Sequence, residues 1–492
     1  MPAGKRKSRD CQPFIGPQPG GAARSASGFA CIGIGLMLAD TIFALSSARG
    51  RAGIAVVRIS GPRAADTLCL LSGEDVPQPR LARLIRLCDP QDGRILDHAL
   101  VLYFPAPASF TGEDVVELHL HGGPAVVGAV LAAVEAEPDL RPAEAGEFTR
   151  RAFDNGKLDL SEVEGLADLI AAETEAQRRQ ALRQMDGVLS ALVEAWRERL
   201  LQASALAEAM LDFSEEDLPA DLSTRLDSHI CEVAEEIAQY IDDRRLGERL
   251  RHGFQVVIVG PPNAGKSSLL NTLVRREAAI VTASAGTTRD VIEVHLDIEG
   301  YPVTLADTAG LRSFETAQVD TAPGEIEREG MRRARDRAAD ADLLVAVLDL
   351  GTLSDLDPEI LAVVDGRTTI VLNKCDLHPN TAPDLPSALS ARPVFTLSAT
   401  VGTGIEEFLA HLRDEVVRLF GGAGEAPVIT RARHRRALEE CRTALLQMRT
   451  ARLPELAAED LRAALSALGQ ITGRSDIEEV LERLFREFCI GK

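Results

Sequence analysis

A chain of 492 residues exceeds what one hydrophobic core organises, so length alone predicts roughly two to four domains. Its 45% hydrophobic content is that of a soluble globular protein. A net charge of −21 excludes a whole-surface nucleic-acid binder, because phosphate binding needs a local excess of Lys and Arg; a basic patch remains open.

Residues 1–39 form an extension. Lys5, Arg6, Lys7 and Arg9 precede the uncharged run "SASGFACIGIGLMLA" (25–39), which is too short to span a bilayer. Basic-then-apolar order resembles a secretory or transit signal. The alternative, taken here, is a disordered extension or an upstream start with Met37 as the true beginning. From Asp40 to Lys157, "GIAVVRIS" (53–60) and "DVVELHL" (114–120) read as strands and "AVVGAVLAAVEA" (125–136) as a helix, giving an α+β domain. Residues 158–251 switch to helical periodicity. Leu182, Met185, Leu189, Leu192, Trp196, Leu200, Ala203, Leu206 and Met210 recur at steps of three or four and predict one continuous stripe. Trp196 is expected in the core.

Between 252 and 420, "FQVVIVG", "YPVTLAD", "ADLLVAVLD", "TTIVLNK" and "PVFTLSA" alternate with helical stretches, which predicts a parallel, doubly wound sheet. "GGAGEAP" (421–427) reads as a linker, and residues 421–492 return to helix. The predicted fold class is therefore multidomain: an α+β N-terminal domain, a discontinuous α-helical domain, and an inserted α/β P-loop domain of Ras-like type. Eight cysteines (11, 31, 69, 88, 231, 375, 441, 489) include no C-x-x-C pair, which suits reduced thiols in the cytoplasm. No segment after the extension is long and apolar enough to predict membrane insertion.

"GPPNAGKS" (260–267) fits the phosphate loop G-x-x-x-x-G-K-[ST], with a strand before it and the helix "SLLNTLVRR" after it. Backbone amides of Asn263, Ala264, Gly265, Lys266, Ser267 and Ser268 would wrap phosphates; Lys266 would reach the β- and γ-phosphates, and Ser267 would bind Mg2+. Asp307 stands at the Walker-B position, followed by Thr308, Ala309 and Gly310, whose amide suits the γ-phosphate. In "NKCD", Asn373, Lys374 and Asp376 form a guanine signature, since the Asp376 carboxylate can accept the N1–H and 2-amino donors that adenine lacks. Ser398, Ala399 and Thr400 would close over the guanine carbonyl. The first switch is read in Thr282, Ala283, Ser284, Ala285, Gly286, Thr287 and Thr288; spacing does not choose between Thr287 and Thr288 for Mg2+. Leu311 occupies the position where Ras-type enzymes carry the water-orienting Gln.

"GPPNAGKSSLLN", "GTTRD", "DTAGLR", "GRAGIAVVRISG", "SFTGEDVVELHLHGGP", "EFTRRAF", "GKLDLSE" and the terminal "FCIGK" together resemble the MnmE/TrmE family of bacterial tRNA uridine-modification GTPases, from Asp40 to Lys492. The resemblance implies a homodimer acting with an FAD-dependent MnmG/GidA-type partner on the wobble uridine of certain tRNAs. A 5,10-methylene- or formyl-tetrahydrofolate would supply the one-carbon unit. It implies a K+ ion in place of an arginine finger, held by Asn263, Thr282, Ser284 and Thr287, and makes Thr288 the Mg2+ threonine. Glu327 becomes the water-orienting residue, with Glu325 and Glu329 as rivals, because a stretch near "TAQVDTAP" lengthens the segment. Arg58, Glu117, Lys157 and Lys492 match the folate contacts, and Cys489 is a possible reactive thiol or a thiol buried at a helix end. "RARHRR" (431–436) could meet tRNA phosphates or form an ordinary helix start. The rival reading is a ribosome-assembly type of GTPase switch, in which hydrolysis only times release.

Overall fold

The computed structural model describes residues 40–212, 222–243, 245–276, 279–280, 293–307, 339, 341–355, 358–379, 385–420, 427–451, 453–475, 478–488 and 490–491. The first sheet contains β1 (Thr41–Leu45), β2 (Ile54–Ser60), β3 (Arg83–Cys88), β4 (Ile95–Phe104), β5 (Val115–His121) and β6 (Leu140–Pro142), in the order β3-β4-β5-β2-β1-β6. All its pairs are antiparallel except β1 with β6. Alternation explains the layering. Val57, Ile59, Leu118 and Leu120 face inward on α1 (Ala64–Ser72) and α2 (Pro124–Glu135), while Arg58, Glu117 and His119 lie on the opposite face. Helix α1 and strands β3 and β4 were not read from the sequence.

A short helix α3 (Glu147–Asp154) leads into α4 (Leu160–Ala171) and α5 (Glu175–Met185). Both α4 and α5 begin with a capping box, Asp159 with Glu162 and Thr174 with Gln177, which fixes their starts. The predicted continuous stripe from Leu182 to Met210 is corrected here. Asp186 and Gly187, the latter at φ 79°, separate α5 from α6 (Val188–Asp212). The buried face of α5 is Ala176, Gln180, Ala181 and Gln184, with Leu182 and Met185 half-buried. Ala176 joins the core of the α/β domain and Gln184 donates to the Ser161 carbonyl of α4, while no α5 residue belongs to the core that α6 builds, so the apolar period of α6 does not extend through α5.

Leu189, Val193, Trp196, Leu200 and Ala203 of α6 pack with α7 (Leu222–Ile241) and with helices Ala432–Thr450 and Pro454–Thr472 in one core. That core therefore draws on chain from both sides of the α/β domain. Trp196 is fully buried and its indole N–H donates to Glu236 at 2.8 Å. Cys441, in the same core, is a thiol that burial pushes up to about 12.

After α8 (Leu246–His252), the second sheet comprises β7 (Phe254–Val259), β8 (Ala279–Ile280), β9 (Glu293–Ile298), β10 (Tyr301–Asp307), β11 (Leu343–Asp349), β12 (Thr368–Asn373) and β13 (Val394–Thr396). Its order is β13-β12-β11-β7-β10-β9-β8. The predicted parallel sheet is present in β10, β7, β11, β12 and β13, and it carries an antiparallel edge. β9 runs antiparallel to β10 and to β8, because a tight turn at Glu299 and Gly300, both with positive φ, reverses the chain directly. The apolar run of β7 is buried on both faces, as a central parallel strand requires.

Candidate functional site

The nucleotide motifs converge at the carboxyl ends of β7, β11 and β12, where an open α/β sheet binds ligands. The phosphate loop joins β7 to α9 (Lys266–Arg276). Gly260, Asn263 and Gly265 take φ values of 152°, 64° and 96°, so the loop curls back on itself. Lys266 is buried and its Nζ donates to the carbonyls of Gly260 and Pro261, both at 2.9 Å, across the concavity. A Cβ on Gly265 would stand 2.1 Å from Asn373 Nδ2. Glycine there lets the loop touch the next motif.

Asn373 makes that contact specific. Its Nδ2 donates to the Ala264 carbonyl at 2.8 Å, and its Oδ1 accepts from the Ala399 N–H at 3.0 Å. One buried amide thus ties the phosphate loop to the Ser398–Thr400 loop, while Thr272 of α9 donates to the Ala399 carbonyl at 2.7 Å. Sequence reasoning read Asn373 only as part of the guanine signature. The tie depends on two backbone groups that no spacing reveals. Lys374, at φ 64°, pairs with Asp349 at 2.8 Å. Partial burial opposes ionisation of Asp349, and Lys374 outweighs it, holding that carboxyl below its ordinary value. Asp376 is exposed at the rim beside this pair, where a base would lie. Ser398 Oγ accepts from the Val401 N–H at 3.1 Å, which shapes the third loop. Asp307 ends β10 beside Ile258 of β7. Thr282, Ala283, Ser284, Ala285, Gly286, Thr287, Thr288, Thr308, Ala309, Gly310, Glu327, Cys489 and Lys492 lie outside the described residues.

A second concavity of about 490 Å³ opens on the N-terminal sheet, lined by Arg80, Phe104, Ala108, Phe110, Glu117 and Lys157 among others. Its size falls within the range of small-molecule sites, and two phenylalanines with one carboxylate and two cations suit a flat heteroaromatic carrying an anionic tail. Glu117 and Lys157 come together as expected. Lys157 Nζ donates to the Pro107 carbonyl at 3.0 Å. Arg58 instead donates to Glu117 Oε1 from Nε and Nη2 at 3.1 and 2.8 Å, and its guanidinium stacks 5.5 Å from the Phe110 ring. It orients that carboxylate and stands against two of the residues that line the concavity, Glu117 and Phe110. Arg80, placed over Phe104 at 5.5 Å, was missed, because an isolated arginine in a turn carries no periodic signal.

The chain's end lies against this domain. Ile490 bridges to Ala145, and Ser46 Oγ donates to the Gly491 carbonyl at 2.8 Å. At Gly491, φ is 100° and a Cβ would sit 2.3 Å from the Leu45 carbonyl, so only glycine fits.

Of the two readings of the basic run 431–436, the structure shows the helix start, at Ala432, but one whose charges are mostly turned inward and not solvated. Arg433 donates to both oxygens of Glu164 at 2.6 Å, Arg431 to Asp168 at 2.8 Å, and Arg435 to Glu248 and Asp243 at 2.7 and 2.6 Å. His434, fully buried, donates through Nε2 to Glu164 Oε2 at 2.8 Å. Of these basic residues only Arg436 is exposed. Burial pushes Glu164 up, and His434 and Arg433 together more than reverse that, leaving it ionised well below its ordinary value. Burial holds His434 below its ordinary value against the attraction of Glu164, so it is neutral at neutral pH. Carboxylates spread from Glu164 to Glu248, all before the nucleotide domain, absorb these charges, and nothing in the run itself announces it.

The family description "GTP-binding protein TrmE N-terminus" matches residues 41–157, and "MnmE helical domain" matches residues 160–489. The tRNA modification GTPase MnmE of Paramagnetospirillum magneticum is 54% identical over 92% of this chain and 100% of its own length. That of Rhodospirillum rubrum is 52% identical over 93% of this chain and all of its own. A human mitochondrial 5-taurinomethyluridine tRNA synthase subunit is 48% identical over 92% of this chain and 93% of its own. With both family descriptions matched and near-complete coverage of relatives at half identity, the chain belongs to the MnmE/TrmE family of tRNA modification GTPases.

Proposed function

We propose that this chain hydrolyses GTP with potassium stimulation and, with a flavin-dependent partner of MnmG/GidA type, installs a (carboxymethyl)aminomethyl group at C5 of the wobble uridine of certain tRNAs. The one-carbon unit comes from a tetrahydrofolate derivative bound in the N-terminal domain. The observation that carries the reading is full-length likeness to named tRNA modification GTPases in a chain whose nucleotide loops are joined through Asn373. In this reading the domains are 40–157 (folate and dimerisation), 158–251 with 421–492 (helical), and the inserted GTPase domain 252–420. The protein acts as a homodimer in the cytoplasm.

Each residue then has a defined task. Backbone amides of 263–268 and the Lys266 ammonium neutralise the phosphates, and Ser267 with Thr288 hold Mg2+. The Asn263 side-chain oxygen, with oxygens of Thr282, Ser284 and Thr287, would hold K+, which would supply positive charge against the charge that builds on the phosphates during transfer. Glu327 aligns the attacking water in place of the glutamine that Leu311 displaces. Glu117, oriented by Arg58, accepts from a pterin edge, and Lys157 and Lys492 meet anionic groups of the folate. Support for this second site comes from the aromatic walls and the carboxylate of the 490 Å³ concavity.

The test is the GTP hydrolysis rate in K+, in Na+ and without monovalent cation, alongside mass analysis of wobble nucleosides in a deletion strain. Faster turnover in K+ and loss of the modified nucleoside are expected. Equal rates in all three salts would refute the cation site. Normal tRNA with defective ribosome assembly would favour a regulatory switch.

A further inference from the structure

The nucleotide domain and the C-terminal tail touch opposite ends of one short helix. Near the start of α4, Leu160 and Val163 pack with Leu481, Leu484 and Phe485 of helix Glu478–Glu487 and with Phe488 just after it, where the chain enters the tail. One turn on, Glu164 holds Arg433 and His434. One further turn on, Asp168 Oδ1 accepts from Arg251 Nε at 2.9 Å and from Arg431 Nη2 at 2.8 Å. Those two arginines flank the nucleotide domain in sequence. Arg251 lies in the last turn of α8, which leads into β7, and Arg431 follows the last helix of that domain, Ile405–Phe420. A single carboxylate therefore fastens both chain crossings.

Beside this clamp, α5 grips the hairpin β9–β10. The Ala176 N–H donates to the Gly300 carbonyl at 3.0 Å, and Ala176 belongs to the core of the nucleotide domain. Glu173 lies 3.5 Å from His295 of β9. Gln177 Nε2 donates to the Arg251 carbonyl at 3.2 Å, linking grip and clamp. The hairpin covers Glu293–Asp307, so in sequence it lies between the first switch and the second, at whose start Asp307 stands. The far end of α5 is joined to α4 and to the second crossing, since Gln184 donates to the Ser161 carbonyl at 3.0 Å and accepts from Thr430 at 2.8 Å.

We propose that Asp168 is the positioning residue through which the state of the nucleotide domain reaches the C-terminal tail, with α4 and α5 moving as one rigid body between them. The spacing from Leu160 to Asp168 is eight residues, about 12 Å of helix, short enough to move without bending. The tail in turn is pinned to the N-terminal domain at Ala145 and Ser46, so its displacement is felt at the β1 side of the sheet that carries the second concavity. The inference rests on the reading that GTP hydrolysis is coupled to wobble-uridine modification.

The test is amide hydrogen exchange on the full-length protein in K+, comparing GDP with GDP plus aluminium fluoride, read at residues 478–488. Wild type should change protection there on switching nucleotide. Asp168→Asn, which loses the charge that holds both arginines, should hydrolyse GTP within about twofold of wild type. Its tail response and tRNA modification should each fall by about tenfold, the scale of a residue that modulates coupling. Asp168→Glu, which keeps the charge, should recover part of both. A tail response in Asp168→Asn equal to wild type overturns the proposal, as does wild type that hydrolyses GTP with no tail response. Wild type that hydrolyses no GTP removes the functional reading and the proposal together. If Asp168→Asn fails to fold, Arg251→Gln is measured with the same expected and refuting results, because it releases one crossing and leaves Arg431 in place.

Discussion

Replacing Asn373 with alanine isolates what holds the nucleotide cleft together. The side chain is only 2% exposed and satisfies two buried backbone groups, the Ala264 carbonyl and the Ala399 N–H. Leaving a buried polar group unpaired costs about 1–3 kcal/mol. Two such groups at the low end of that range give about 2–3 kcal/mol, or roughly 30- to 150-fold in affinity. Asn373→Ala should therefore weaken a fluorescent GDP analogue by that factor, chiefly through faster dissociation. Guanosine and xanthosine nucleotides should suffer alike, since the defect lies in loop closure and not in base recognition. Asp376→Asn should behave oppositely, losing GTP and gaining xanthosine triphosphate. A dissociation constant for Asn373→Ala within about threefold of wild type would show that the two loops hold their positions without the tie.

The remaining predictions address the other sites. Glu327→Ala should bind GTP normally and turn over slowly in a stopped-flow and steady-state comparison; normal turnover would move the role to Glu325 or Glu329. Glu117→Gln should weaken tetrahydrofolate binding by about tenfold or more in calorimetry, through loss of a charge-assisted hydrogen bond, without changing GTP hydrolysis. Glu164→Gln should destabilise the helical core by about 3–5 kcal/mol, because the largely buried Arg433 would lose its carboxylate partner and Arg431 would keep only Asp168; denaturant titration followed by the single tryptophan, Trp196, reports it. The same fluorescence gives a pH test. His434 is held below its ordinary value of 6.5, so the unfolded chain takes up the proton first, and stability present above that pH is lost as pH falls through it. The loss approaches about 1.4 kcal/mol per pH unit below the ordinary histidine value. His434→Gln should flatten it only in part, because His252 is also held low, by burial first and then by Arg251. A slope unchanged by the substitution would assign it elsewhere.

Sequence alone determined the chemistry of the nucleotide site, because that chemistry is local. A phosphate loop needs glycines and a lysine at fixed offsets after a strand, and a guanine pocket needs one carboxylate at the end of another. Trp196 in a core and the helix after "HGGP" were legible for the same reason, since periodicity of three to four residues is a property of neighbours. Residues whose partners are distant in the chain were decided by tertiary structure. The run "RARHRR" has the composition of a phosphate-binding surface, yet Glu164, Asp168, Asp243 and Glu248 turn most of it inward. Arg58 carries the charge of a ligand contact and spends it on Glu117. The stripe from Leu182 onward broke at Gly187 because α5 serves a different interface from α6. Coulomb attraction and close packing act through space, so the meaning of a charge or an apolar position is settled only when the fold has chosen its neighbour.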